Sequence, residues 1–413
     1  MNRGNKKKIN AVVIGASSES IYAIQKAKEL GIFVIALDGN PNAEGLHFAD
    51  ESFVVDIRKH ESIFCVLDKF SPDVVIPIPI GRYLTSIGAV NDHYNLCGIT
   101  HEAAMLCTDK HSFHNTLFRE NMRQVEHILI SNGEIDIPFG IGTFIFPGIA
   151  KPRYGSGNRS VRIYWDENNL KDNFFSKLPY DEDFVFESFV EGTEYGIDAA
   201  IIDGVFYLIL LREKLLTPYP YCQCVGYLSV IKNNNNIAFF NSIEIFFNKT
   251  GQILKLNNCL MHADIIRQKN NNVFPIEISA RPSGHNLHNL FTIMATGVDM
   301  IFEYLKFALP QLNKDYCFVP HHTEHMLIRY FDLVEGRVVR VPDKEYLCNH
   351  YPIKAFECNI QEGMELCQIT DGHSLMDRGY YIICGKDENE LVAVSNEINK
   401  AFVLEKQDEK FFK

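Results

Sequence analysis

The stretch FPIEISARPSGHN, 274–286, sets Glu277, Ser279 and Arg281 at alternate positions in an apolar run. Strand alternation turns all three side chains to one side. Such a row offers a carboxylate for a cation, a hydroxyl, and a planar guanidinium suited to phosphoryl oxygens. The preceding GQILKLNNCLMHADIIRQ turns at KNNN and returns as VFPIEIS, which predicts a hairpin with Asp264 facing Glu277. Carboxylates in apolar strands are costly without partners. Paired, they make a hard, oxygen-rich site suited to Mg²⁺, which binds through one or two carboxylates plus substrate phosphates. His262, two residues before Asp264, is expected on the same face, either as a packed, hydrogen-bonded histidine or as a catalytic one.

Two other stretches suit a nucleotide. In AKPRYGSGNRSVRIYW, Lys151 precedes Gly155, Ser156 and Gly157, and a strand resumes over 159–164, so the glycines sit at a hairpin tip. A Walker loop has its lysine after the glycines and opens a helix. Here the backbone N–H groups of 155–157 can fold over phosphate oxygens, and an ordinary turn is the alternative. ESFVEGTE, 187–194, places Glu187, Glu191 and Glu194 around a Phe-Val step. It is either a solvated strand end or a source of backbone groups at Ser188 to Val190 for an adenine edge, with an acid for the ribose hydroxyls.

The elements that must hold these residues begin with INAVVIGAS, a buried strand, followed by a helix capped by Ser18 and ended by Gly31. FVIALDGNP, HESIFCVLDKF and DVVIPIPI continue the strand-helix alternation, as in a parallel sheet covered on both faces. Gly15 to Ser18 with Asp38 invites a dinucleotide reading, but GxGxxG spacing is absent. CTDKHSFHNTLFRENM is a helix with Thr108 or Asp109 at its cap. Antiparallel strands follow, with the asparagine run at 233–236 as a polar turn between strands, and 283–309 is mostly helical.

At 413 residues and 46% hydrophobic content the chain is globular, with room for two to four units. A net charge of −12 argues against general nucleic-acid or anionic-membrane binding. AVVIGAS is too short for a signal-peptide core and no apolar run reaches membrane-span length, so a soluble, cytoplasmic protein is expected. Eleven scattered cysteines without zinc spacing are expected to be reduced and mostly buried, with Cys222 and Cys224 the nearest approach to a metal pair.

The order of the parts resembles the ATP-grasp superfamily of carboxylate-amine ligases: Lys110 in CTDK, Lys151 before GSGNRSV, then ESFVEGTE, then an acid paired with EISARP. The resemblance covers most of the chain and implies an α/β ATP-grasp fold. Its parts would be a Rossmann-like domain over 1–105, an ATP-grasp domain over 106–320, and a small α+β domain over 321–413. The central domain would have two α+β lobes clasping ATP, 106–190 with the Gly-rich loop and 191–320 with the metal and substrate groups. It implies that Lys110 and Lys151 reach the ATP phosphates beside Gly155, Ser156 and Gly157. Glu187 and Glu194 become the hinge and ribose acids, and Ser188 and Val190 give backbone contacts to adenine, with Glu191 left to solvent or loop packing. Asp264, Glu277 and Ser279 take the metal positions, Ser279 standing where the family has asparagine. Arg281 holds the phosphoryl group, and Lys214 reaches phosphate or substrate or is an exposed strand lysine. His285 and Asn286 contact substrate, and His285 with His288 has a spacing that permits a shared helical face.

The implied reaction joins a small-molecule carboxylate to an amine, on amino-acid-like substrates, through an acyl phosphate, releasing ADP and phosphate. Its cofactors are ATP and two Mg²⁺ ions, with Mn²⁺ able to substitute; no nucleic-acid or membrane partner is expected, and a homodimer is the commonest assembly of a soluble enzyme. The rival readings are a regulatory ATP-binding protein on the same scaffold and an NAD-dependent oxidoreductase.

Overall fold

The computed structural model describes residues 8–131, 134–136, 146–155, 161–170, 182–219, 221–369 and 372–405, without the side chains of 134–136 and 373–374. The chain divides into two compact units, Met1–Gln124 with Ile197–Leu210 and Asn235–His321, and Val125–Gly196 with Leu211–Asn234 and His322–Lys413. Two long strands, Thr193–Ile202 and Val205–Leu216, contribute residues to both.

The first unit opens with a parallel sheet in the order Glu51–Val54, Phe33–Asp38, Asn10–Ile14, Val74–Val75. Continuous apolar runs put Ala11 to Ile14 and Val34 to Leu37 out of solvent, as a sheet covered on both faces requires. The edge strand Glu51–Val54 is largely exposed, which is why no apolar run marked it. The first helix is Ser18–Glu29, with Ser17 rather than Ser18 at the cap position and no side-chain cap bond. Asp38 does not stand open for a ribose. Its Oδ2 accepts from Ala16 N at 2.6 Å and its Oδ1 from Asn40 N at 2.7 Å, so it braces the turn after the first strand. Tyr22 on that helix donates to Asp299 Oδ2 at 2.6 Å, and Asp299 caps helix Met300–Ala308 through Phe302 N. Burial and the Asp299 carboxylate together push the Tyr22 phenol well up. A core of Ala23, Ile24, Ala27, Ile301 and Leu305 packs the two helices in one cluster.

The expected CTDK helix is Lys110–Arg119, capped by Asp109, whose carboxylate accepts from His111 N and Ser112 N, and a separate helix, His101–Thr108, precedes it. The 233–236 asparagines do not join strands. They precede helix Ile237–Ile253, which buries Phe239, Phe240, Ile243, Phe246, Phe247 and Thr250. That spacing is helical, but its aromatic and β-branched content carries a strand-like propensity that tertiary burial overrides. The hairpin is therefore shorter than expected, with strands Cys259–Arg267 and Val273–Ser279. Val273–Ser279 lies at the sheet edge, where Pro275 costs no ladder bond.

The second unit holds an antiparallel sheet in the order Glu134–Asp136, His127–Ser131, Phe184–Ser188, Gly148–Pro152, Arg162–Tyr164. Its core includes Ile128, Ile130, Ala150, Phe184 and Phe186. The tail packs Leu327, Phe331, Tyr381, Leu391 and Ile398. Of the eleven cysteines one is buried, six are half-buried and four exposed, all as free thiols, so the expectation of mostly buried thiols fails. Among the described residues no helix is long and apolar enough to cross a membrane.

At Gly148 an added Cβ would sit 2.2 Å from Cζ of Phe186, whose strand also carries Glu187 and pairs with the strand that carries Lys151. Gly148→Ala is therefore expected to destabilise by about 1–3 kcal/mol through overpacking. Adding Phe186→Leu should recover part of that loss in denaturant titration, whereas an unrelieved or deeper loss in the double variant would place the strain elsewhere.

Candidate functional site

In the first unit, the hairpin register pairs His262 with Ser279 and Asp264 with Glu277. All four side chains thus share one face, as the strand alternation predicted. One ligand atom from each of His262, Asp264 and Glu277 lies within 4.8 Å of the other two. Two carboxylates and an imidazole form a donor set that fits a divalent cation, the carboxylates supplying charge and hard oxygen. The hydroxyl of Ser279 lies on the same face.

Arg281 departs from the expected row. The strand ends at Ser279 and Arg281 stands in the bend beyond it. Its Nη1 donates to Pro282 O at 2.8 Å, and its Nε is buried without a hydrogen-bond partner. Burial depresses its pKa from the usual arginine value, opposed by the fields of Glu277, Glu19, Asp264 and Asp198. A guanidinium remains charged under that pull.

Two acids of this group were missed in the sequence. Glu19, on the first turn of helix Ser18–Glu29, accepts from His285 N at 2.8 Å. Its place after the first strand, at the carboxyl end of a parallel sheet, was the available signal. Asp198 is fully buried in strand Thr193–Ile202 and accepts from Thr292 Oγ1 at 2.5 Å. An acid inside YGIDAAII is as conspicuous as Asp264 by the same desolvation argument.

His285 and Asn286 have left-handed backbones, φ 58° and 61°, just before a wide helical turn, Leu287–Phe291. His285 is exposed while His288 is buried, so the two do not share a face. The Nδ1–H of His288 donates to Ser283 O, and burial lowers its pKa. Lys110 is half-buried at the first residue of helix Lys110–Arg119.

In the second unit, Lys151 is not a surface lysine: it is 3% exposed and its Nζ lies 2.6 Å from Oε1 of Glu187, itself 5% exposed. Lys214 is also buried rather than exposed, with Nζ 3.4 Å from Glu194 Oε2. Each of the four residues singled out on charge and spacing is thus paired with another of them. Ser188 N donates to Glu126 O at 3.4 Å, so the amide of this predicted adenine contact is engaged within the sheet. Val190 is half-buried and Glu191 exposed, as expected for a residue left to solvent. Gly155 follows strand Gly148–Pro152, which pairs with Arg162–Tyr164 as a hairpin. Ser156 and Gly157 lie outside the described residues. In PYPYCQCVGY, Tyr219 is exposed and meets Trp165 and Phe189 edge-on at 5.7 and 6.1 Å.

Because Lys151 and Glu187 are buried together, removing one charge leaves the other without its 2.6 Å counter-ion. Lys151→Met is expected to destabilise by about 3–5 kcal/mol. The double variant Lys151→Met, Glu187→Leu should recover more than half in a double-mutant cycle, and simple additivity would show that the two charges do not depend on each other.

Residues 146–288 match the model of the ATP-grasp domain. Two D-alanine–D-alanine ligases of Clostridium perfringens are similar in sequence. One is 29% identical over 131 residues, covering 32% of this chain and 42% of the relative. The other is 25% identical over 211 residues, covering 49% of this chain and 66% of the relative. The chain therefore spans less than two thirds of the length of either. Among solved structures, the L-amino acid ligase of Bacillus licheniformis superposes with a TM-score of 0.76 at 14% identity, covering 98% of this chain and 100% of that one. Residues 146–288 are thus similar to the ATP-grasp domain, and the chain shares its fold with the L-amino acid ligase structure.

Proposed function

We propose that the chain is an ATP-dependent carboxylate-amine ligase. The observation that carries this reading is the direct pairing of Asp264 with Glu277 on one strand face inside the ATP-grasp domain. A surface accident does not account for it, since both acids are half-buried in otherwise apolar strands. A carboxylate oxygen attacks the γ-phosphorus of ATP, the bond to the bridging oxygen breaks, and ADP leaves. The acyl phosphate so formed is attacked by an amine, which loses a proton and expels phosphate.

Each residue group has a part that its chemistry supports. Lys151, Lys110 and Lys214 supply compact positive charge to phosphate oxygens. Glu194 accepts from ribose hydroxyls, with Glu187 holding Lys151, and Gly155 opens the segment whose backbone N–H groups would cover the phosphates. Ser188 and Val190 border the adenine, and His285 and Asn286 border the substrate. Arg281 steadies charge developing on the transferred phosphoryl group. Asp264, Glu277 and Ser279 would hold the two divalent ions, which neutralise phosphate charge when bound. Amino-acid-like substrates are supported by the likeness to D-alanine–D-alanine ligases and to an L-amino acid ligase.

The direct test is phosphate release from ATP across a matrix of amino acids and small carboxylic acids, with product masses recorded. At least one carboxylate and amine pair should stimulate release and yield a product lighter by one water than the two reactants together. No stimulation by any pair would exclude the ligase reading in favour of a regulatory ATP-binding protein. With a productive pair in hand, Arg281→Met should lower kcat by about 10²-fold or more while nucleotide affinity changes little. An equal loss in nucleotide affinity alone would move Arg281 from the phosphoryl group to ground-state binding.

A further inference from the structure

The hairpin puts His262 directly across from Ser279, in the cross-strand position next to the Asp264 and Glu277 pair. Directly opposed side chains of an antiparallel pair lie close enough to share one ligand. Ser279 contributes a short neutral hydroxyl, the weakest donor of the four. His262 contributes a ring already fixed in orientation. Its Nδ1 lies 3.2 Å from Ile197 O, and a carbonyl only accepts, so this nitrogen carries the proton. Oδ1 of the buried Asp198 lies 3.8 Å from the same nitrogen. The other nitrogen, Nε2, faces Asp264 Oδ1 at 3.6 Å.

An imidazole nitrogen and a carboxylate oxygen facing one another are reconciled either by a proton on the ring or by a cation between them. The surroundings favour the cation. An imidazole whose far N–H is held by a backbone carbonyl or a carboxylate is the arrangement that orients metal-binding histidines. A divalent ion about 2.1 Å from each donor bridges gaps of up to about 4.2 Å, so the 4.8 Å cluster closes with small side-chain rotations.

We infer that Nε2 of His262 is a metal ligand together with Asp264 and Glu277, and that this mixed set selects first-row divalent ions such as Mn²⁺ over Mg²⁺. The inference rests on the nucleotide and metal reading above and deepens it. Mg²⁺ prefers oxygen donors and gives up water reluctantly, whereas imidazole nitrogen adds affinity along the first-row series. Ser279 then needs no direct contact with this ion, because His262 fills the adjacent position.

Pulsed electron paramagnetic resonance on the full chain with Mn²⁺ and ADP tests this without turnover. The wild type should show modulation from a directly bound imidazole nitrogen together with coupling to nucleotide phosphorus. His262→Gln should lose the nitrogen signal, keep the phosphorus coupling, and weaken Mn²⁺ binding by about tenfold or more while Mg²⁺ affinity changes far less. Isotopic labelling of histidine checks the nitrogen assignment in the wild-type protein, so the test survives a variant that fails to fold. Phosphorus coupling without imidazole modulation, or modulation that persists in His262→Gln, would overturn the assignment and leave the nucleotide reading standing. Loss of both couplings in the wild type would overturn the reading of this face as a metal and nucleotide site, and the inference with it.

Discussion

The register between Cys259–Arg267 and Val273–Ser279 constrains everything on this hairpin. Because side chains alternate, a slip of one residue would carry His262, Asp264, Glu277 and Ser279 to the opposite face. Two local features hold it. At the turn, Asn270 and Asn271 adopt left-handed backbones, and the Arg267 guanidinium grips Asn271 Oδ1 at 2.6 and 3.0 Å. Between Asp264 and Ile265 the register shifts, so Ile265 pairs with Pro275 and Asp264 with Glu277. The extra residue is Ile276. A bulge of this kind re-aims side chains at a sheet edge, and here it separates the polar end of the hairpin from its apolar end.

Charge is the second constraint, and it takes a different form in each unit. In the second, lysines and acids cancel in pairs, Lys151 with Glu187 buried and Lys214 with Glu194 partly buried. Such pairs recover little more than the desolvation they incur, so they are poor explanations of stability. In the first unit the balance is uneven, because Glu19, Asp198, Asp264 and Glu277 all act on Arg281. All four carboxylates favour the charged guanidinium, against the burial that opposes it.

The parallel sheet, the 259–279 hairpin and the face shared by Asp264 and Glu277 were all legible because apolar runs and strict alternation are strong local signals. The exposed strand Glu51–Val54 was not, since an edge strand without an apolar run leaves no such mark. Helix Ile237–Ile253 was hidden by its phenylalanine and isoleucine content, and only the spacing of its buried positions betrays it. Arg281 was placed too simply, because alternation predicts direction only while the strand lasts. His262 was legible as a neighbour of Asp264 but not as its partner. That role depends on Ile197 O and Asp198, which approach from a strand about 65 residues earlier.

The segment after the hairpin shows how the two ends of the first unit's sequence depend on one another. Gly284 passes so close to helix Ser18–Glu29 that an added Cβ would meet Glu19 Oε1 at 3.2 Å and Pro79 at 3.5 Å. That approach lets Glu19 accept from His285 N, and the left-handed turn at His285 and Asn286 follows directly. The strain of two such residues is held by the surrounding bonds, including the His288 contact to Ser283 O. Arg281 stands between this fastening and the end of the hairpin, bonded to the carbonyl of Pro282. Its guanidinium is therefore positioned from both sides, by the strand that ends at Ser279 and by the loop that Glu19 holds. A guanidinium so placed is fixed in advance by the fold.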